Sequence, residues 1–562
     1  MTQRSPSAIT PKRLFFYVGL GLISTTLVIF LVGFLIARAA LSSVVKSRLA
    51  DVVIASTDSL YTLQIDSLLI DSDEIRATKV KLVPFKLSAV QSLSANYEIS
   101  LDEILISKPK WVHLLNRSIE VERFEIKRPN LVLKTLQENA SKTSSSATSP
   151  AVSTHDASRT FSENVLEKYV KRFRINSVRI EDASLNYIEG GAKSVKRPDS
   201  LVVSLFAENI SLMFNDSDSR RIQFDFDDFR FVANPYRRQI PNTLYEVAFN
   251  AVYLSVKDST FSVEDFSFAP AMNDDEFCKH HRYRPTLVKV KFDSLKLHSI
   301  DYKRLLFGGE FVARFAELHR LSVYAMTDKR IPNPPRIPDS SLPNEAIAKI
   351  NTKFHIDSMR IHKSRVVYAT RQPFVREGAI RFEAINGLVE NASNFPEKMT
   401  AKTPLRLHAS TRLMGDALVK AELTMPLLSP SFDMTFKAVL SGLDVTTLNH
   451  FLEPEARVKL ESGTVSIVSV YCAVSNGVGR GKVSPQYNNL RMLVLSEDRR
   501  KERGFMEGLK TFVVNRFGVK SENPEKNKPL REATVQYVRK RDESIFEYIW
   551  QFIWVGMQKV MT

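Results

Sequence analysis

Beyond residue 60 the chain is written largely in alternating apolar and polar positions. A short phrase recurs with apolar residues at its first, third, sixth and eighth places. Copies run Leu63, Ile65, Leu68, Ile70; Ile99, Leu101, Ile104, Ile106; Ile119, Val121, Phe124, Ile126; and Phe173, Ile175, Val178, Ile180. Others are Phe261, Val263, Phe266, Phe268; Val290, Phe292, Leu295, Leu297; and Phe354, Ile356, Met359, Ile361. Period-two alternation marks a strand with one apolar and one wet face. The step from the third to the sixth place changes the parity, and a slip of one residue would turn the apolar set to the other face. A strand that keeps one face buried must absorb the extra residue in a bulge, and repeated bulges twist and curve a sheet. Serine precedes the step in four copies, at Ser67, Ser177, Ser294 and Ser358, and places the bulge beside it.

One pair of copies matches more deeply. Phe173, Ile175, Ser177, Arg179, Ile180 and Tyr187 recur at identical offsets as Phe354, Ile356, Ser358, Arg360, Ile361 and Tyr368, which indicates an internal duplication. Spacing between the other copies is irregular, so the phrase is a recurring strand and not a fixed-period solenoid. Two stretches interrupt the pattern. Residues 140–160 are rich in Ser, Thr and Ala and read as a flexible linker or long loop. Residues 331–353 open with Pro332, Pro334, Pro335, Pro338 and Pro343, which exclude a central strand, and continue into a short helix.

The two ends depart from the strand pattern. Leu14 to Ala37 carries no charge, and at about 1.5 Å per residue it is long enough to cross a bilayer. Lys12 and Arg13 precede it while Arg38, Lys46 and Arg48 follow, so flanking charge does not orient it. An anchor that exports the body is the simplest arrangement, and a body left in the cytosol is the alternative. At the other end Ser544 and Glu547 have the form of a capping box. An apolar helix follows, with Phe546, Ile549, Trp550, Phe552, Ile553 and Trp554 crowding it and a narrow stripe of Ser544, Glu547, Gln551 and Gln558. The organisation expected is an N-terminal segment 1–13, a transmembrane helix 14–37, β segments 38–139, 161–330 and 354–500 separated by the interruptions, and a tail 501–562 with its helix at 544–561.

Composition narrows the function classes. Apolar residues at 44% and charged residues at 25% suit a folded body, and the net charge of +17 favours anionic partners. Lysine and arginine are spread along the chain, which argues against a nucleic-acid reader with its concentrated stripe. Cys278 and Cys472 alone supply no disulfide framework and read as buried thiols. Cys278 with His280 and His281 has ligand character, but no second cluster completes a metal set. Asp225, Asp227 and Asp228 alternate with Phe224, Phe226 and Phe229 as the wet side of a strand, and Arg499, Arg500, Lys501 and Arg503 form a basic loop open to a lipid headgroup. No nucleophile with its base, carboxylate pair or phosphate loop stands out, so binding, transport or scaffolding outranks catalysis, and no cofactor is expected.

The anchor followed by the Phe173 to Tyr187 type of phrase resembles the AsmA-like proteins of Gram-negative envelopes. Leu443-Asp444 with Leu448 and Leu452, then Val458, Leu460, Ser462-Gly463 and Val465, then Gly479, Gly481, Val483, Tyr487 and Leu490, is similar to that family's closing segment. The run Leu295, Leu297, Ile300, Asp301 also looks like a family phrase. The resemblance implies a mainly β protein held in the inner membrane by one helix, with a long, twisted, curved β-groove in the periplasm. Its apolar face, including Phe173, Ile175, Phe354 and Ile356, would hold phospholipid or another acyl-chain lipid passing between the inner and outer membranes in support of outer-membrane assembly. The C-terminal helix then plugs the groove end, dips into the outer membrane, or docks on the sheet. The alternative is a periplasmic scaffold or assembly factor that contacts outer-membrane proteins and carries no lipid.

Overall fold

The computed structural model describes residues 46–84, 95–110, 118–135, 172–189, 199–214, 222–495 and 519–562, apart from residues 48, 52, 55–59, 72, 241, 336–341, 374–375 and 401. The span from Leu14 to Ala37, the linker 140–160 and the basic run from Arg499 to Arg503 lie outside the described residues. The fold is mainly β, as the alternation predicts. It forms two compact units, one of the chain up to Tyr236 with Tyr253–Lys257, the other of Arg237–Val252 with Asp258–Thr562.

In the first unit β1 (Tyr61–Gln64) and β2 (Ser67–Ile70) both pair with β3 (Glu74–Pro84), which is antiparallel to β4 (Ala95–Pro109). On its other side β4 meets β5 (Ser118–Lys127) and β6 (Asn130–Thr135), two strands set end to end. Both run parallel to the long β7 (Arg172–Glu189), which is antiparallel to β8 (Asp199–Phe214). β9 (Ile222–Asp225) and β10 (Asp228–Ala233) complete the unit on β8.

β11 (Tyr236–Gln239) and β13 (Ala251–Ser255) lie at the boundary, on either side of β12 (Tyr245–Phe249). β12 pairs with β14 (Thr260–Pro270), and the short α1 (Asp274–Lys279) leads into β15 (Thr286–His298). The succession of the first unit then returns. β15 is antiparallel to β14, to β16 (Phe311–His319) and to β17 (Ser322–Asp328), and the last two are both parallel to β18 (Phe354–Arg371), which follows α2 (Pro343–Ala348). β19 (Gly378–Ser393), β20 (Leu405–Leu413), β21 (Ala417–Met425), β22 (Met434–Asp444), β23 (Val458–Ser475), β24 (Val478–Val494) and β25 (Ala533–Val538) continue from β18 as antiparallel neighbours. α3 (Asn449–Ala456) precedes β23 and α4 (Ile545–Met561) closes the chain. The sequence repeat is thus a topological repeat, with β7 and β18 in equivalent places.

Parallel neighbours that follow one another in sequence need a crossover of a dozen or more residues. β6 ends with Thr135 opposite Glu189, whereas β7 begins with Arg172 opposite Ser118, at the other end of the strand. β17 ends with Asp328 opposite Arg371, and β18 begins with Phe354 opposite Phe311. The Ser/Thr-rich and Pro-rich interruptions occupy these two connections. They join strands within each unit, and the units part around residues 236–258 instead.

The parity steps fall where the phrase puts them, in a different form. The β3–β4 ladder passes from Thr78↔Glu103 to Val80↔Leu101, and the β14–β15 ladder from Glu264↔Ser294 to Phe266↔Phe292. Lys79 and Asp265, at the omitted level, have φ of 48° and 50°. The β7–β8 and β18–β19 ladders omit a level before Ser177 and Ser358, opposite Asn209 (φ 52°) and Asn391 (φ 58°). Each strand therefore carries a spare residue at the same level as its neighbour. The register continues, and both strands keep their apolar residues on one face, where a one-sided bulge would have shifted one against the other. Asn and Asp suit the positive-φ position because their short polar side chains tolerate it.

One buried ion pair ties a helix to this sheet. Lys329 Nζ, at the end of β17, meets Glu455 of α3, and their side chains are 5% and 2% exposed. Gln372 Nε2 also donates to the Glu455 carboxylate at 3.2 Å. A buried pair is costly to break from one side and tolerant of joint replacement by apolar residues. Glu455→Gln is expected to lower the stability of the second unit by about 3–5 kcal/mol, while Lys329→Met with Glu455→Leu recovers most of that loss. Urea unfolding followed by the fluorescence of Trp550 and Trp554 checks both.

Candidate functional site

In the second unit the register lines apolar residues up in rows across the strands. One row runs Val263, Leu295, Leu318, Ile361, Gly387, Ala409, Ala421, Ala438, Val470 and Val483. A second runs Phe261, Leu297, Ala316, Met359, Val389, Leu407, Leu423, Phe436, Cys472, Gly481 and Val535. The positions between them belong to the other face. There the corresponding row reads Ser262, Lys296, Glu317, Arg360, Leu388, His408, Glu422, Lys437, Tyr471 and Lys482. Charges of opposite sign sit side by side on it, as where Glu422 lies 3.8 Å from His408 and 4.0 Å from Lys437. One face of this sheet is made for apolar contact and the other for water.

Helices cover part of the apolar face. α3 and α4 lie on it, whereas Phe277 and Cys278 of α1 pack with Leu287, Met326, Ala369 and Ala379 on the opposite face, at one end of β15, β17, β18 and β19. Phe451 of α3 meets Tyr368 edge-on at 6.2 Å. α4 lies on β24 and β25, with Tyr548, Phe552, Gly556 and Val560 buried. Its capping box forms as the sequence predicts: Glu547 N donates to Ser544 Oγ at 3.2 Å, and Ser544 N donates to Glu547 Oε2 at 2.8 Å. Small residues permit the close approach. A Cβ at Gly479 would strike Tyr548, and one at Gly556 would strike Val483.

Away from these helices much of the apolar face is only half-buried, although Leu297 and Ala316 are buried. Phe261, Val263, Phe266, Phe268, Val290, Phe292, Leu295 and Leu318 keep partial exposure, as do Phe354, Ile356, Met359 and Ile361 of β18. Phe266 and Phe292 stack at 4.8 Å on this surface. The equivalent residues of the first unit are enclosed: Phe173 is 3% exposed, Ile175 2% and Val178 1%. Full burial of such a side chain stabilises by roughly 1.5–3 kcal/mol, so each half-buried one forgoes on the order of 1 kcal/mol that another apolar body could supply.

The residues singled out from sequence fall in different settings. Leu14 and Ala37 lie outside the described residues. Phe173 and Ile175 are sealed in the first unit, and Phe354 and Ile356 present surface in the second. Of the C-terminal helix, Phe552 is 1% exposed, Phe546 is 42% exposed, and Ile549, Trp550, Ile553 and Trp554 pack partly against the core. Gln551 does not lie in an exposed polar stripe, since it is buried with Phe552. The Cys278–His281 cluster is occupied with its own helix: His280 Nδ1 and His281 Nδ1 lie 2.8 and 2.9 Å from the carbonyls of Glu276 and Phe277. Asp225 and Asp227 are exposed as expected, whereas Asp228 is buried with its carboxylate 3.1 Å from Arg230. β16 and β17 fall within the expected β segment 161–330, although the phrase does not recur in them because Ala313, Ala316 and Ala325 dilute their apolar positions, while the pattern does not predict β25 within the tail.

No protein-family model matches the chain, and no curated protein matches it.

Both cysteines are buried. Burial pushes the Cys472 thiol up to about 12 and raises that of Cys278. Neither is expected to react with a maleimide at pH 8 in the folded chain, and both react in guanidinium; mass spectrometry of the labelled protein reads the count. Gly556→Leu, which forces a side chain into Val483, is expected to loosen α4 and expose Cys472 first.

Proposed function

We propose that the chain is a non-enzymatic, AsmA-like envelope protein, anchored in the inner membrane by Leu14 to Ala37, whose apolar sheet face binds phospholipid and helps it move between the two membranes. The half-buried face of β14 to β18 is the observation that carries this reading. Its rows of Val, Leu, Ile, Met and Phe offer acyl chains a surface without competing polar groups, and each methylene buried there gains about 0.8 kcal/mol. α4 covers the last strands of the same face, where it caps the end of a groove. The opposite face keeps its mixed charges in water. The apolar anchor read from sequence and the family resemblance supply the membrane setting. A second reading is favoured by β7 of the first unit: its Phe173, Ile175 and Val178 are enclosed and offer no surface to lipid, which suits a scaffold for outer-membrane proteins.

The test places a photoreactive benzophenone side chain in the full-length protein inside cells. On the apolar face, at Leu295, Met359 or Ile361, ultraviolet light is expected to attach phospholipid, detected by mass spectrometry. On the polar face, at Lys296 or Arg360, it attaches none. Ile356→Asp, at a half-buried position, is expected to leave the fold intact and reduce lipid attachment at Ile361 several-fold, whereas Ile175→Asp, at an enclosed one, unfolds the first unit. Equal lipid labelling of both faces, or protein adducts alone at the apolar positions, overturns the lipid reading in favour of the scaffold.

A further inference from the structure

We propose that Glu317, His319 and His362 form a site for one divalent transition-metal ion on the polar face of the second unit. Glu317 and His319 stand two residues apart on β16 and therefore on the same side of the strand. His362 is the register partner of His319 on the parallel strand β18. The two imidazole rings stack at 4.5 Å with 10° between their planes, and one ligand atom from each of the three residues lies within 4.8 Å of the other two. Ligands around a tetrahedral zinc ion, each at about 2.0–2.2 Å from it, stand roughly 3.3–3.5 Å apart. Side-chain rotation closes that difference without moving the strands.

A second observation points the same way. His362 Nε2 is buried and has no hydrogen-bond partner among the described residues. A buried polar atom left unmet costs about 1–3 kcal/mol, and a metal ion accepts the lone pair of a neutral imidazole. The surroundings suit a bound cation. Nε2 of His298, on β15, lies 3.5 Å from Glu317 Oε2, placed to orient the carboxylate or to join it as a ligand. Arg360, opposite Glu317 in register, carries its guanidinium over the Phe315 ring at 5.6 Å, and Arg320 is paired with Asp293. Two histidines and one carboxylate leave a coordination position for water, and imidazole with carboxylate selects zinc or copper over calcium or magnesium. An ion here would pin β16 to its parallel neighbour β18.

The site stands apart from the lipid reading, because its residues face away from the apolar rows. Full-length protein in detergent, stripped with chelator, is titrated calorimetrically with Zn²⁺ alone. One equivalent is expected to bind, to be lost in His319→Ala with His362→Ala, and to weaken by about 10-fold or more in His298→Ala. Persistence of that equivalent in the double variant, or no binding by the native chain, overturns the proposal. Cu²⁺ loaded onto the native chain gives a readout that needs no variant: pulsed electron paramagnetic resonance is expected to count at least two coupled imidazoles, and a count of one or none is equally fatal to it.

Discussion

A sheet with one apolar face is governed by parity. Every second residue must point to the same side over strands as long as 18 residues, and across every neighbour to which those strands are hydrogen-bonded. A single uncompensated insertion would drive a whole apolar set into water. Here the strands do carry insertions, and at the phrase levels the structure accommodates them in pairs: Lys79 and Asp265 in β3 and β14, and Asn209 and Asn391 in β8 and β19, each face a spare residue on the strand beside them, while one-sided shifts are confined to other levels, as between Ile180 and Ala183 of β7 and between Glu383 and Asn386 of β19. The apolar rows, the covering helices and the charged opposite face all follow from this matching.

The same parity explains what could be read from residues alone. Phe173 to Ile180 and Phe354 to Ile361 alternate strongly enough to reveal strands, and their identical offsets reveal the duplication. The capping box of α4 was equally legible because Ser544 and Glu547 act over one helical turn. What was hidden depends on long-range pairing. Nothing local distinguishes Ile175 from Ile356, yet one is enclosed and the other half-exposed. The Pro-rich and Ser/Thr-rich stretches were visible as interruptions, but their role as crossovers follows only from β5, β6, β16 and β17 running parallel to the strands they precede in sequence. Likewise Glu317, His319 and His362 become neighbours through a strand pairing, and the Glu-X-His spacing on β16 is its one local trace.

The second unit sets two chemistries back to back. Residues of one row on β16 and β18, such as Leu318 and Ile361, face the apolar side, while His319 and His362 beside them in sequence face the polar one. A strand separates them by a single peptide unit. Any shift of β16 against β18 therefore displaces both faces together, and at the junction of β16 with β17 the backbone passes through positive φ at Arg320, as it does at Lys363 on β18.

The repeat also bears on how such a body changes size. Each copy brings its own crossover, its own pair of end-to-end strands and its own matched spare residues, and so carries the instructions for its register within itself. Unequal recombination between two copies of the gene segment would add or remove a whole block without disturbing the alternation of those that remain. Breadth of the sheet then becomes a quantity that heredity can adjust in discrete steps, while the side to which each residue points is preserved.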